Sequence, residues 1–100
     1  MKVLNGIISD SWNYYQNIQI QLEKKIKQLP KGSIKKRLLG KQIYFYLQYR
    51  EGKKVVHKYL GKVEPEKLER ETKERRALIQ QLHQVKESIK VLSKVYPHHA

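Results

Sequence analysis

The sequence predicts an α+β fold: a helix, a three-stranded antiparallel β-meander and a long helix, with the two helices packed as an antiparallel coiled-coil hairpin. Two periodicities carry this expectation. Apolar residues recur every three or four positions before Pro30 and after Pro65, the helical period, while the segment between them alternates apolar and polar side chains around isolated glycines, the strand period. One hundred residues supply one modest core, so residues 1–100 are expected to form a single domain with its function on a surface, not in a deep cleft.

Ser9 or Asp10 offers an N-cap, and Trp12, Tyr15, Ile18 or Gln19, Leu22, Ile26 and Leu29 then share one face, which predicts a helix over 9–29. Pro30 and Gly32 end it, because proline breaks the hydrogen-bond ladder and disfavours helix at the residue before it. Beyond Pro65, the positions Leu68, Glu71, Arg75, Leu78, Leu82, Val85, Ile89, Leu92 and Tyr96 keep a 3-4 spacing. A helix over 65–95 follows, on the order of 45 Å long at 1.5 Å per residue. Glu64, Glu66, Glu69, Glu71 and Glu74 crowd its start and Lys86, Lys90 and Lys94 its end, the order the helix dipole favours. The first helix is too short to cover the whole stripe, so a homodimer through the long helix is an expected partner state. Glu71 and Arg75 on the seam predict loose packing near the sheet. Residues 97–100, with His98 and His99 after Pro97, are expected to be a disordered tail.

Between the helices, residues 33–39, 41–50 and 54–60 read as strands of a meander head over 33–60. A two-residue turn at Gly40-Lys41 pairs Leu38 with Ile43, Lys36 with Phe45 and Ile34 with Leu47 on one face, and Arg37 with Tyr44 and Lys35 with Tyr46 on the other. A three-residue loop at Glu51-Gly52-Lys53 pairs Tyr49 with Val55, Leu47 with His57 and Phe45 with Tyr59. The apolar face then holds Ile34, Leu38, Ile43, Phe45, Leu47, Tyr49, Val55 and Tyr59. The opposite face holds Lys35, Arg37, Tyr44, Tyr46, Gln48, Arg50, Lys54 and Lys58. Closing the second loop with two residues would instead carry Val55, His57 and Tyr59 to the basic side.

The net charge of +13 is concentrated in this head. Residues 31–62 carry ten lysines and arginines against Glu51 alone, whereas 1–30 and 63–100 each have a surplus of only two. Solubility would not require such clustering. A single-sign patch interleaved with tyrosines suits a polyanion, so the expected function is nucleic-acid binding as an accessory or regulatory protein. The expected contacts are Lys35, Arg37, Lys41, Tyr44, Tyr46, Arg50, Lys53, Lys54 and Lys58, the cations neutralising phosphates and Arg37 and Arg50 able to make bidentate contacts. Double-stranded DNA is favoured over RNA because a three-stranded ribbon beside a helix makes a convex wedge; a single strand stacking on the tyrosines is the alternative. Tyr44 and Tyr46 could also be cross-strand packing alone. The alternative function is a protein interaction module using the coiled-coil helices, with no nucleic-acid role.

The stretches Pro30-Lys31-Gly32-Ser33-Ile34, Tyr44-Phe45-Tyr46-Leu47-Gln48-Tyr49-Arg50 with Gly52-Lys53-Lys54, and Lys58-Tyr59-Leu60-Gly61-Lys62 before a charged heptad helix resemble an uncharacterised family of short basic prokaryotic proteins common near mobile elements. That resemblance covers about residues 29–95 and implies a fold and a phage, plasmid or transposon setting. A weaker likeness, in Gly32-Ser33-Ile34 and the strands around Gly52-Lys53, is to the arm-binding three-stranded domain of phage tyrosine integrases, which implies a sheet that reads DNA. This chain ends its third strand in Tyr59-Leu60-Gly61-Lys62 where that domain has a threonine-lysine entry to a short helix.

Enzymatic readings find no support in the pattern. The carboxylates fall mostly on the second helix at solvated spacings with no histidine placed against a pair, and Gly40, Gly52 and Gly61 are isolated turn glycines, not a phosphate loop. No catalytic residue, cofactor, metal site or small-molecule substrate is expected; His57 reads as an ordinary strand residue and His83 as a helix residue beside Leu82. Without cysteine there are no disulfides and no thiolate ligands. The longest apolar stretch, around 43–47, falls far short of the roughly 20 residues that span a bilayer, and the N-terminus lacks a signal-peptide pattern. A cytoplasmic protein without a membrane partner is expected.

Overall fold

A computed structural model describes residues 2–95, with side chains from Gly6 onward. Expectations for Tyr96, His98, His99 and the tail at 97–100 lie outside the described residues. The element order is α1 (Lys2–Gln28), β1 (Ser33–Leu39), β2 (Gln42–Glu51), β3 (Lys54–Gly61) and α2 (Glu66–Ser93). The fold class is α+β: two helices flank, in sequence, a three-stranded antiparallel sheet of order β1-β2-β3. The chain divides into two compact units, the first formed by α1 with the part of α2 from Leu78 onward, the second by residues 29–77.

In the helical unit, α1 starts at Lys2, well before Ser9 and Asp10, which lie inside the helix and do not cap it. Nothing between Lys2 and Ile8 breaks a helix except Gly6, and a single glycine costs only about 1 kcal/mol there. The expected stripe is otherwise present: Leu22 and Ile26 are buried and Trp12, Tyr15, Ile18 and Leu29 half-buried. On α2, Leu78, Leu82, Val85, Ile89 and Leu92 are all half-buried. One groove of about 460 Å³ is lined by Ser11 and Tyr15 together with Glu87, Ser88, Val91 and Leu92, and another by Tyr15, Ile18 and Leu22 with Gln81, Gln84, Val85 and Ser88. Ascending residues of α1 thus meet descending residues of α2, an antiparallel arrangement.

In the sheet unit, β2 is the central strand and both β1 and β3 are outer strands. Phe45 and Leu47 form the buried centre, 6% and 9% exposed. They lie on one side of the pleat, here the reverse face, while Tyr44, Tyr46, Gln48 and Arg50 lie on the front face. The first turns of α2 belong to this unit. Their most buried side chain is Thr72, 1% exposed, flanked by half-buried Glu71 and Arg75. The deepest burial in this part of α2 therefore falls on a residue outside the heptad positions. Threonine can be buried here because its hydroxyl donates to the Glu69 carbonyl at 3.0 Å, which leaves a methyl group to pack.

Two contacts join α2 and the segment before it to β1 and the bend before it. Arg76 Nη1 donates to the Gly32 carbonyl at 2.6 Å, and Lys36 Nζ on the reverse face lies 4.0 Å from a Glu64 carboxylate oxygen. The first is the more consequential, since it holds the bend that starts β1. Gly32 has φ 118, and a Cβ built there would stand 2.6 Å from the Gln48 carbonyl oxygen and 2.9 Å from Leu47 Cδ1. No L-residue fits without moving β2. Gly32→Ala should lower stability by about 3 kcal/mol or more, combining backbone strain with a backbone clash. Gly52→Ala, with φ 63 but nothing within 4 Å, should cost about 1–2 kcal/mol. Urea unfolding of the two variants side by side checks the order.

Candidate nucleic-acid interface

The first hairpin pairs as its sequence predicts: Leu38 with Ile43, Arg37 with Tyr44, Lys36 with Phe45, Lys35 with Tyr46 and Ile34 with Leu47. Lys35 and Arg37 accordingly share the front face with Tyr44 and Tyr46. The second hairpin departs from the expected register. Glu51 pairs with Lys54, Arg50 with Val55, Gln48 with His57, Leu47 with Lys58 and Tyr46 with Tyr59, so only Gly52 and Lys53 form the turn. Gly52, at φ 63 in the first turn position, supplies the positive φ that a two-residue hairpin of the type II′ kind needs there. A tight turn whose twist matches its strands prevails over the apolar matching of Val55 and Tyr59.

This register reverses the face of every residue in β3. Val55, His57 and Tyr59, expected on the apolar side, lie in front. Lys54 and Lys58, expected in front, lie on the reverse face, where Lys58 lines a groove of about 260 Å³ with Lys31, Leu47 and Tyr49. Lys41 and Lys53 occupy the two turns at opposite ends of β2, roughly 30 Å apart at 3.4 Å per residue. They do not join the central cluster.

A second irregularity completes the front face. A bulge sets Phe45 opposite Gly61 while Tyr46 stays opposite Tyr59, leaving Leu60 as the extra residue. Without it, Gly61 would fall opposite Tyr44. With it, β3 advances one residue and the side chain that reaches Tyr44 is Lys62, its Nζ 5.9 Å from the ring centroid. On the other flank, the Arg37 guanidinium carbon lies 5.2 Å from the centroid of Tyr46. The tyrosines themselves pack together: Tyr59 stands 5.4 Å from Tyr46 and 6.3 Å from Tyr44, at tilts of 55° and 46°. Such ring pairs add about 0.5–1.5 kcal/mol each, and exposed cation–π contacts about 0.5–1 kcal/mol.

The face is electrostatically uncompensated. Among the described residues, the salt bridges are Lys36 with Glu64 and Lys73 with Glu69, neither on the front face, so Lys35, Arg37, Arg50 and Lys62 have no carboxylate partner. Nor do the described residues contain a group of three His, Asp or Glu side chains that could hold a metal ion, or a helix long and apolar enough to cross a membrane.

The sequence reading therefore puts Lys35, Arg37, Tyr44, Tyr46 and Arg50 on one face, brings His57 and Tyr59 there only under the two-residue closure it did not prefer, and does not reach Lys62. The signal for Tyr59 and His57 was the Gly52-Lys53 pair read as a turn. For Lys62 there was none, since a bulge is a property of the paired strands. The register is checked by crosslinking in this cysteine-free chain. Gln48→Cys with His57→Cys should form a disulfide on mild oxidation, because directly paired Cα atoms lie about 4.5–5.5 Å apart. Leu47→Cys with His57→Cys should not, the two side chains pointing to opposite faces; the mass of the oxidised protein reads the outcome.

Residues 13–70 match the domain of unknown function DUF6788. The matched stretch begins within α1, takes in the whole sheet and stops in the first turns of α2. No curated protein and no solved structure matches the chain. With more than half of its length covered, including all three strands of the tyrosine face, the chain belongs to the DUF6788 family.

Proposed function

We propose that the protein binds nucleic acid through the front face of its sheet, as an accessory or regulatory protein without a catalytic step. DNA is the first candidate and RNA the second. The observation that carries this reading is a face where Lys35, Arg37, Arg50 and Lys62 lack a carboxylate partner among the described residues and Tyr44 and Tyr46 each pack against Tyr59, with Arg37 and Lys62 on the flanking rings. Phosphates would supply the missing negative charge, and the rings would supply contact area that a purely electrostatic patch lacks. The resemblance to short basic proteins near mobile elements fits such a role and makes a phage, plasmid or transposon the setting we propose.

A second reading rests on the helices. Tyr14, Ile20, Val91 and Val95 are each more than half exposed, and such surface suits self-association with a second copy. Light scattering separates this from the first reading, because a homodimer forms with no nucleic acid present.

Binding of labelled DNA and RNA across a salt series tests the main reading. Four phosphate contacts should make log K fall against log salt with a slope of about −3. Arg37→Ala and Arg50→Ala should each weaken binding and flatten that slope by about 0.7–0.9, whereas Lys54→Ala on the reverse face should change it least. An affinity indifferent to salt, or no binding to either polymer, overturns the proposal.

A further inference from the structure

We propose that the ligand of the front face is an unpaired strand, and that Tyr59 is the ring on which one of its bases stacks. This rests on the nucleic-acid reading above and goes further, since it selects the strand state and names the residue. The three rings are not equivalent. Tyr46 carries Arg37 and Tyr44 carries Lys62, both rings being half-buried. Tyr59 carries no cation among the described residues and is 53% exposed, even though it touches both other rings. It is a ring held from beside by two neighbours and open to solvent.

The chemistry of the two strand states decides between them. A duplex keeps the faces of its bases inside the stack and offers only groove edges and phosphates, which long polar side chains read. A tyrosine ring standing on the face of a sheet gains little from either. An unpaired base has a free π-face, and stacking it on an aromatic ring is favourable for every base. The cations sit at the border of the ring cluster, where the phosphates flanking a stacked base would pass. Tyr44 and Tyr46 fix the tilt of Tyr59 beforehand, so little side-chain freedom is lost on binding. The unpaired base is the shared chemistry of DNA and RNA strands, and nothing in a stacking ring distinguishes the sugars.

The experiment uses the full chain with labelled oligothymidylate, oligouridylate and a fully paired DNA hairpin. Both single strands should bind more tightly than the hairpin. Tyr59→Leu should weaken single-strand binding by about 5- to 150-fold, the loss expected for one stacked base, without altering the salt slope, while Tyr59→Phe should keep the affinity. Weaker binding of one homopolymer alone would assign the face to the other polymer. To guard against a Tyr59→Leu protein that does not fold, the unaltered protein is irradiated with a strand carrying 5-iodouracil, and the adduct should map to the peptide containing Tyr59. A crosslink elsewhere, or a hairpin bound at least as tightly as the strands with Tyr59→Leu indifferent, overturns this inference and leaves nucleic-acid binding standing. Failure of all three probes to bind removes both.

Discussion

The register of β3 against β2 is the constraint on which the front face depends. In an antiparallel pair the side-chain period is two, so a shift of one residue turns an entire strand over. With two residues in the turn at Gly52 and Lys53, Tyr59 stands beside Tyr46; with three it would be packed against the buried side with Phe45. The bulge at Leu60 then moves the chain forward by one more position, and Lys62 reaches Tyr44 as a result. Two local backbone features, neither of them a contact with anything outside the molecule, thus assemble an aromatic and cationic cluster from three separate strands.

β2 can serve this cluster because its two sides are assigned to different tasks. Phe45 and Leu47 anchor one side in the buried centre, and the strand cannot tilt to follow its tyrosines without exposing them. Gly32 reinforces this, since its backbone passes so close to Gln48 and Leu47 that the start of β1 is seated directly on the central strand. The Arg76 guanidinium secures the same bend from α2. Holding several cations on one small face carries a repulsive cost in the free protein, and a face built on a fixed strand maintains that density where a mobile loop would spread it.

Much of this architecture is legible in the amino-acid order. The heptad residues of α2 from Leu68 to Leu92 are half-buried as their spacing implies, and the first hairpin pairs in the register that Gly40 and Lys41 specify. The second hairpin departs from the expected three-residue loop because apolar matching and turn geometry pull in opposite directions there, and the preference of glycine for positive φ is the stronger term. Thr72 escaped notice because threonine reads as polar until its hydroxyl is satisfied by its own helix. The start of α1 was set too late because Ser9 and Asp10, good caps, are also tolerated within a helix. Lys62 owes its place to an unpaired residue in the opposite strand, and such a feature arises only when two strands meet.

The order of the strands has one more implication. With β2 in the middle, β1 and β3 each present a border that pairs with no other strand among the described residues. Such borders invite another copy to add its own strand and so begin an aggregate. Lys35, Lys36 and Arg37 along one border, and Lys54 and Lys58 along the other, make that approach a meeting of like charges. The basic residues thereby keep the sheets of neighbouring molecules from zipping together, whatever ligand the face receives.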